Sequence, residues 1–190
     1  VINYTKGMGG VDISDQKGEY YNVGIADSKT GYLLNCKIYL GRKEDRNKDL
    51  LLGEQVREVM DMCENYTGVW HHIYFDNFFS STKLLLDKKV YACGTARSGR
   101  KDFPTEFKNP RQLKLKRGES KKLQHEDVTA VVWHDNRDVL LLSTNSDPRF
   151  DGTIKRKSGK GREEIEIPCP LCVINYTKGM GGVDISDQKG

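Results

Sequence analysis

Between residues 20 and 42 the chain reads YYNVGIADSKTGYLLNCKIYLGR, two runs rich in Tyr, Val, Ile and Leu around the polar stretch DSKTG. That pattern predicts a β-hairpin, with Gly31 supplying positive φ in the turn and Asp27 standing where the first strand gives out. The period then changes. Leu52, Val56, Val59, Met60 and Cys63 recur near helical spacing and predict a helix within residues 48–66. WHHIYFD (70–76) predicts a strand that ends on Asp76. SSTKLLLDKK follows as a short helix, with Ser80 or Ser81 as N-cap and Lys88 and Lys89 at its end, and VYACGTAR (90–97) as another strand. VTAVVWHD (128–135) and RDVLLLST (137–144) predict a second hairpin around a tight turn. Residues 145–164 are polar and rich in Gly, Lys and Arg, and read as a mobile loop. The last stretch passes through the proline-broken IEIPCPLC to a Gly-rich turn and a terminal helix, with Asp184 and Asp187 one turn apart. The whole is a mixed α/β plan carrying an insertion.

Composition narrows the picture. The 190 residues suit one domain, or one with a sizeable insertion, and 36% hydrophobic residues suffice for a core. No run approaches the ~20 apolar residues of a membrane span. No apolar signal-peptide core lies near the start, and an opening Val1 points to a fragment. Five scattered cysteines (Cys36, Cys63, Cys93, Cys169, Cys172) read as reduced thiols of an intracellular protein. The net charge of +4 is unevenly placed: residues 97–122 hold ten Lys/Arg against three Asp/Glu, and residues 149–162 hold six against one. Two such runs point to a polyanion, nucleic acid foremost, although solvated loops carry similar charge. The expected phosphate contacts are Lys114, Lys116, Arg117, Lys121 and Lys122 in the first run, with Lys155, Arg156 and Lys157 in the second.

The chain also repeats itself. VINYTKGMGGVDISDQKG occupies residues 1–18 and again residues 173–190, without one difference, across 154 unrelated residues. Structural repeats recur at a fixed period and drift. Two identical ends instead read as terminal redundancy.

Three acidic residues stand out as candidate chemistry. Asp27 and Asp76 close predicted strands, where neighbouring ends would converge at one sheet edge, and Asp184 follows a double glycine. Hard divalent ions take carboxylate oxygens, and two ions about 4 Å apart clamp the attacking and leaving oxygens of a phosphodiester displacement. Strand-end aspartates also form turns, so spacing alone leaves both roles open. Cys169 and Cys172 have C-x2-C spacing but no second pair, so zinc is not expected.

IADSKTGYLLNCKIYLGR, HIYFDNFFSSTKLLLDKKVYACGTARSGRKDFP and YTKGMGGVDISDQ resemble, in order, the piggyBac family of DNA transposases, from about Tyr21 to Gln188. The resemblance implies an RNase H-like α/β core, a mixed sheet with flanking helices interrupted by a basic β-rich insertion. Residues 1–18 would duplicate the C-terminal segment, 19–97 form the first part of the core, 98–172 the insertion and 173–190 the third-aspartate segment, truncated. It further implies a catalytic triad of Asp27, Asp76 and Asp184, with Asp187 as an additional metal ligand and Asp12 and Asp15 as their duplicates. Two Mg²⁺ or Mn²⁺ ions, double-stranded DNA partners (transposon ends and target), a homodimer in the full-length parent and a nuclear location complete the expectation. The implied reaction is metal-dependent strand cleavage and transfer. The alternative is a domesticated or truncated derivative that binds DNA without cutting it.

Overall fold

The computed structural model describes residues 2–4, 8–14, 21–39, 60–76, 86–99, 103–158 and 163–188. The predicted hairpin forms as β3 (Tyr21–Asp27) and β4 (Leu33–Tyr39), antiparallel around a turn in which Gly31 takes φ 70°. The strands read at 70–76 and 90–97 are β5 (His71–Phe75) and β6 (Val90–Thr95), which run parallel with Phe75 beside Gly94. That parallel pair is buried on both faces: Ile73, Tyr74 and Phe75 are all fully covered, as parallel strands require. The second hairpin is β8 (Val128–His134) with β9 (Asp138–Ser143).

Three further pieces were not read from the pattern. Residues 2–4 and 8–14 form β1 (Ile2–Tyr4) and β2 (Met8–Ser14), and the charged stretch Ser120–His125 forms β7. All nine strands named so far lie in one sheet of order β4-β3-β2-β1-β5-β6-β9-β8-β7, so strands of the predicted insertion continue the sheet through the β6–β9 pair. The loop expected at 145–164 is replaced in part by strand. Asp151–Lys157 (β10) pairs antiparallel with Glu164–Pro170 (β11) as a two-stranded ribbon. The reason is alternation carried by long polar side chains: positions along β10 are exposed and half-buried in turn, and Ile154 faces Ile167 across the pair. The prolines are tolerated in β11 because a strand of a two-stranded ribbon has one edge without a partner.

Of the predicted helices, the C-terminal end of the one at 48–66 is seen at residues 60–62, continuing into a 3₁₀ turn at Glu64–Tyr66. Residues 48–59 and the proposed caps Ser80 and Ser81 lie outside the described residues. At the end of the chain α1 (Leu171–Gly179) and α2 (Gly182–Asp187) replace the single terminal helix.

Alternation along β5, β6, β8 and β9 sends side chains to two faces. On one, Ile73, Phe75, Val90 and Ala92 meet Ile25, Met62 and Cys63, and Ala130, Val132 and Leu142 meet Phe103 and Phe107. On the other, Tyr74, Cys93, Val131, Trp133 and Leu141 pack on Ile167, Cys169, Cys172 and Val173 of the ribbon and α1. Trp133 is locked there by its Nε1–H, which donates to the Pro168 carbonyl at 3.0 Å. α1 comes so close that a Cβ at Gly179 would lie 2.2 Å from the Tyr74 ring.

Candidate active site and nucleic-acid interface

Asp76 follows the last residue of β5 and is exposed, its carboxylate accepting from the Thr95 hydroxyl at 2.6 Å at the end of β6. Asp184 is exposed in the first turn of α2, which lies against β1, β2 and β3. Asp187 is the last residue of that helix. Asp15 lies outside the described residues.

Asp27 is placed differently from what adjacent strand ends would give. It is level with Gly9 of β2, and Gly9 and Ile73 both pair with Tyr4 of β1. Between β3 and β5 stand β2 and β1, so Asp27 and Asp76 are separated by roughly 14 Å across the sheet and 10 Å along it. Ions about 4 Å apart cannot be shared over that distance. The carboxylate is also engaged locally. Asp27 Oδ1 accepts from the Thr30 hydroxyl at 2.7 Å, the Thr30 N–H at 2.7 Å and the Lys29 N–H at 3.1 Å. Partial burial pushes its carboxyl up, but the Thr30 and Lys29 hydrogen bonds and the Lys29 charge outweigh it and hold the group below the ordinary value. Asp27 therefore builds the turn.

The strand that reaches Asp76 is β2. It runs parallel to β5 with Met8 opposite His72; further along, Ile2 of β1 pairs with both Gly10 and Phe75, so Asp12 comes to within one residue of the level of Asp76. The wedge of β1 leaves them two strand spacings apart, roughly 10 Å. The fold thus brings positions 12 and 76 towards one end of the sheet, while α2, with Asp184, lies against β1, β2 and β3. Among the described residues no three His, Cys, Asp or Glu side chains gather closely enough to hold a metal.

The basic residues divide in two. Asp135, in the β8–β9 turn, is clamped by Arg117 Nε at 2.7 Å and Arg156 Nε at 2.9 Å. Burial pushes its carboxyl up, yet the two guanidinium bonds hold it below the ordinary value. Lys122 Nζ reaches Asp151 at 2.5 Å and the Pro148 carbonyl at 2.7 Å, and Lys155 sits 3.8 Å from Glu164. Arg117, Lys122 and Arg156 thus tie the ribbon and the preceding loop to the sheet. Lys114, Lys116, Lys121 and Lys157 stand exposed. Nothing in the sequence pattern distinguishes the two groups, because a partner eighteen or more residues away sets the difference.

The cysteines are all free thiols. Burial pushes Cys169 up to about 12, and Cys172, which faces Cys93, up to about 11. They are core residues, protonated at neutral pH.

The chain is similar to two human proteins. PiggyBac transposable element-derived protein 2 is 31% identical over 180 residues, covering 88% of this chain and 30% of that protein. PiggyBac transposable element-derived protein 3 is 26% identical over 167 residues, covering 83% and 28%. The chain thus spans less than a third of either relative. Its fold matches a piggyBac transposase seen by cryo-EM in a synaptic complex with hairpin DNA, at a TM-score of 0.70 and 24% identity, over 99% of this chain and 39% of that one. The family described as Transposase IS4 matches residues 3–190. With these motifs, this sheet and a match over nearly its whole length, the chain belongs to the transposase IS4 family, in its piggyBac-type form.

Proposed function

We propose that the chain is the DNA-processing core of a piggyBac-type transposase, binding double-stranded DNA through its basic surface and carrying the carboxylates for strand cleavage and transfer. The observation that carries this is the register of β2 and β5 across β1, which brings Asp12 to within one residue of the level of Asp76, with α2 and its Asp184 lying against the adjoining β1 and β2. Support for an RNase H-like core comes from the antiparallel run β2–β3–β4 followed by β5 and β6 parallel to β2. In this reading Asp12, Asp76 and Asp184 are the metal ligands, with Asp187 beside them, and Asp27, favoured by the sequence, serves the turn. The donors fit Mg²⁺ or Mn²⁺ in kind, since both take carboxylate oxygen. They do not fit in position, because no three converge among the described residues. What the bound ions would supply is activation of water and of the freed 3′-hydroxyl.

That separation favours a second reading, a transposase-derived protein that binds DNA without cutting it. Mn²⁺ titration calorimetry, with and without duplex DNA, tests the first. Binding that appears with DNA and is lost in Asp76→Asn and Asp12→Asn, but kept in Asp27→Asn, is the expected result, accompanied by nicking of the duplex. A folded chain that binds duplex yet neither takes up Mn²⁺ nor nicks leaves the second reading standing. Homodimerisation and a nuclear location belong to the longer parent in either case, as proposals that follow from a chromosomal DNA substrate.

A further inference from the structure

We propose that a cleft at the start of β5 is a second nucleic-acid site, which takes an unstacked base of single-stranded DNA. The cleft encloses about 600 Å³, with Trp70 and Tyr91 on one side and Gln124, Asp127 and Asp147 among the residues opposite. Trp70 precedes β5 and Asp76 follows it, so the cleft lies roughly 20 Å from the carboxylate edge.

A row of rings forms one wall. His72 faces Tyr91 across the parallel pair, ring centroids 4.9 Å apart, and Tyr91 continues onto Trp70 at 5.0 Å with a tilt of 34°. Trp70, at the end of the row, is 45% exposed. An indole left in water at the end of a stack is a surface on which a further flat ring gains contact. The backbone holds it there under strain. Trp70 has φ 60° and Lys89 opposite has φ 55°, in the left-handed region that bulky residues avoid, and the Trp70 N–H donates to the Lys89 carbonyl at 2.8 Å. Packing of the core does not require this, since the ring is not in it. Strain of this kind concentrates where a side chain is presented to a ligand.

The walls select the occupant. Asp127 lines the far side, beside an Asp147 whose carboxylate is held by Arg149, also of the lining, at 2.6 Å. The Asp127 carboxylate repels a phosphate beside it but accepts from the exocyclic amine of cytosine. Besides Arg149, cations also stand on the Trp70 side: Lys88 and Lys89 are exposed, and their carbonyls accept from the N–H groups of Gly68 and Trp70, at 2.9 and 2.8 Å. A base inside with its backbone along the lysines is the arrangement by which single strands are held. A fully paired duplex presents no base to it.

This inference rests on the proposed DNA-processing role only for the choice of polymer, and the test separates the two. The chain has two tryptophans. Trp133 is 2% exposed, so quenching by a stacked base reports on Trp70. The full chain is titrated with short oligo(dC), oligo(dT) and a duplex, following emission and anisotropy. Oligo(dC) is expected to quench and to bind more tightly than oligo(dT). Trp70→Ala should weaken oligo(dC) binding about 10- to 100-fold while duplex binding stays unchanged. Trp70→Phe should keep most of the affinity and lose the quench. Absence of quenching in the wild-type chain, or unchanged single-strand affinity in Trp70→Ala, overturns the cleft, and parity of oligo(dT) with oligo(dC) removes the Asp127 carboxylate from recognition. Loss of duplex binding with quenching retained overturns the proposed function and leaves the cleft standing.

Discussion

One string of amino acids takes two shapes in this molecule. In the N-terminal copy, Ile2–Tyr4 and Met8–Ser14 are strands in the middle of a sheet; in the C-terminal copy, Ile174–Tyr176 lies within α1 and Gly182–Ser186 within α2. Local preference cannot explain the difference, because the local sequence is identical. The β-branched residues incline the string towards strand, and its four glycines incline it against helix. At the C-terminus those preferences are overridden by what comes before. Pro170 opens the helix, and Cys172 and Val173 of the first turn are buried against Trp133 and Tyr74. At the N-terminus the string has two strand edges to satisfy, β3 on one side and β5 on the other. The helical copy then lies on the strand copy, α2 against β1 and β2. Burial and backbone pairing, worth several kcal/mol, decide over propensities of less than about 1 kcal/mol per residue.

The comparison can be broken most severely by deleting residues 1–14. Both β3 and β5 then present bare edges, and the melting temperature is expected to fall by at least about 10 °C, at roughly 2–4 °C per kcal/mol for a chain of this size. A truncated chain that melts like the full one would mean that the strand copy is not integral to the sheet. Gly179→Ala reaches the helical copy alone. The new methyl has no room beside Tyr74, and overpacking of this kind costs about 1–3 kcal/mol, read as a lower denaturant midpoint at constant slope. The smallest effect concerns the turn beside β2. Asp27 has a folded carboxyl below its ordinary value of 3.8, so its contribution is complete above that value and is lost as pH falls through the lower folded one. Asp27→Asn should flatten the acid limb of a stability–pH curve by about 1 kcal/mol or less. An unchanged limb would remove the Thr30 and Lys29 bonds as its cause.

The strands that proved legible, β3–β4, β5, β6 and β8–β9, are those whose apolar residues bury against a core. β7 was missed because most of its residues are exposed, so no apolar period marks it. β10 and β11 were missed because their alternation is carried by charged side chains and interrupted by prolines. β1 and β2 could not be read at all, since the same letters elsewhere form helix. At the site, Asp76 was legible as a strand end. The turn role of Asp27 was written in DSKTG, whose Thr30 and Lys29 supply the turn bonds. The proposal for Asp12 required knowing which strand runs beside β5. The pairing of Asp135 with Arg117 and Arg156 and the row Trp70–Tyr91–His72 are likewise products of register.

The sheet ends at β7, which has β8 on one side and, among the described residues, no strand on the other. An unpaired edge of this kind is a template on which a neighbouring molecule's strand can add, and lysine is the residue that most often discourages it. Lys121 stands exposed on that edge. The same side chain that reads as a nucleic-acid signal therefore also acts as a stopper against sheet growth, and a variant stripped of positive charge to test the proposed DNA binding would, by the same change, become a protein that associates with itself.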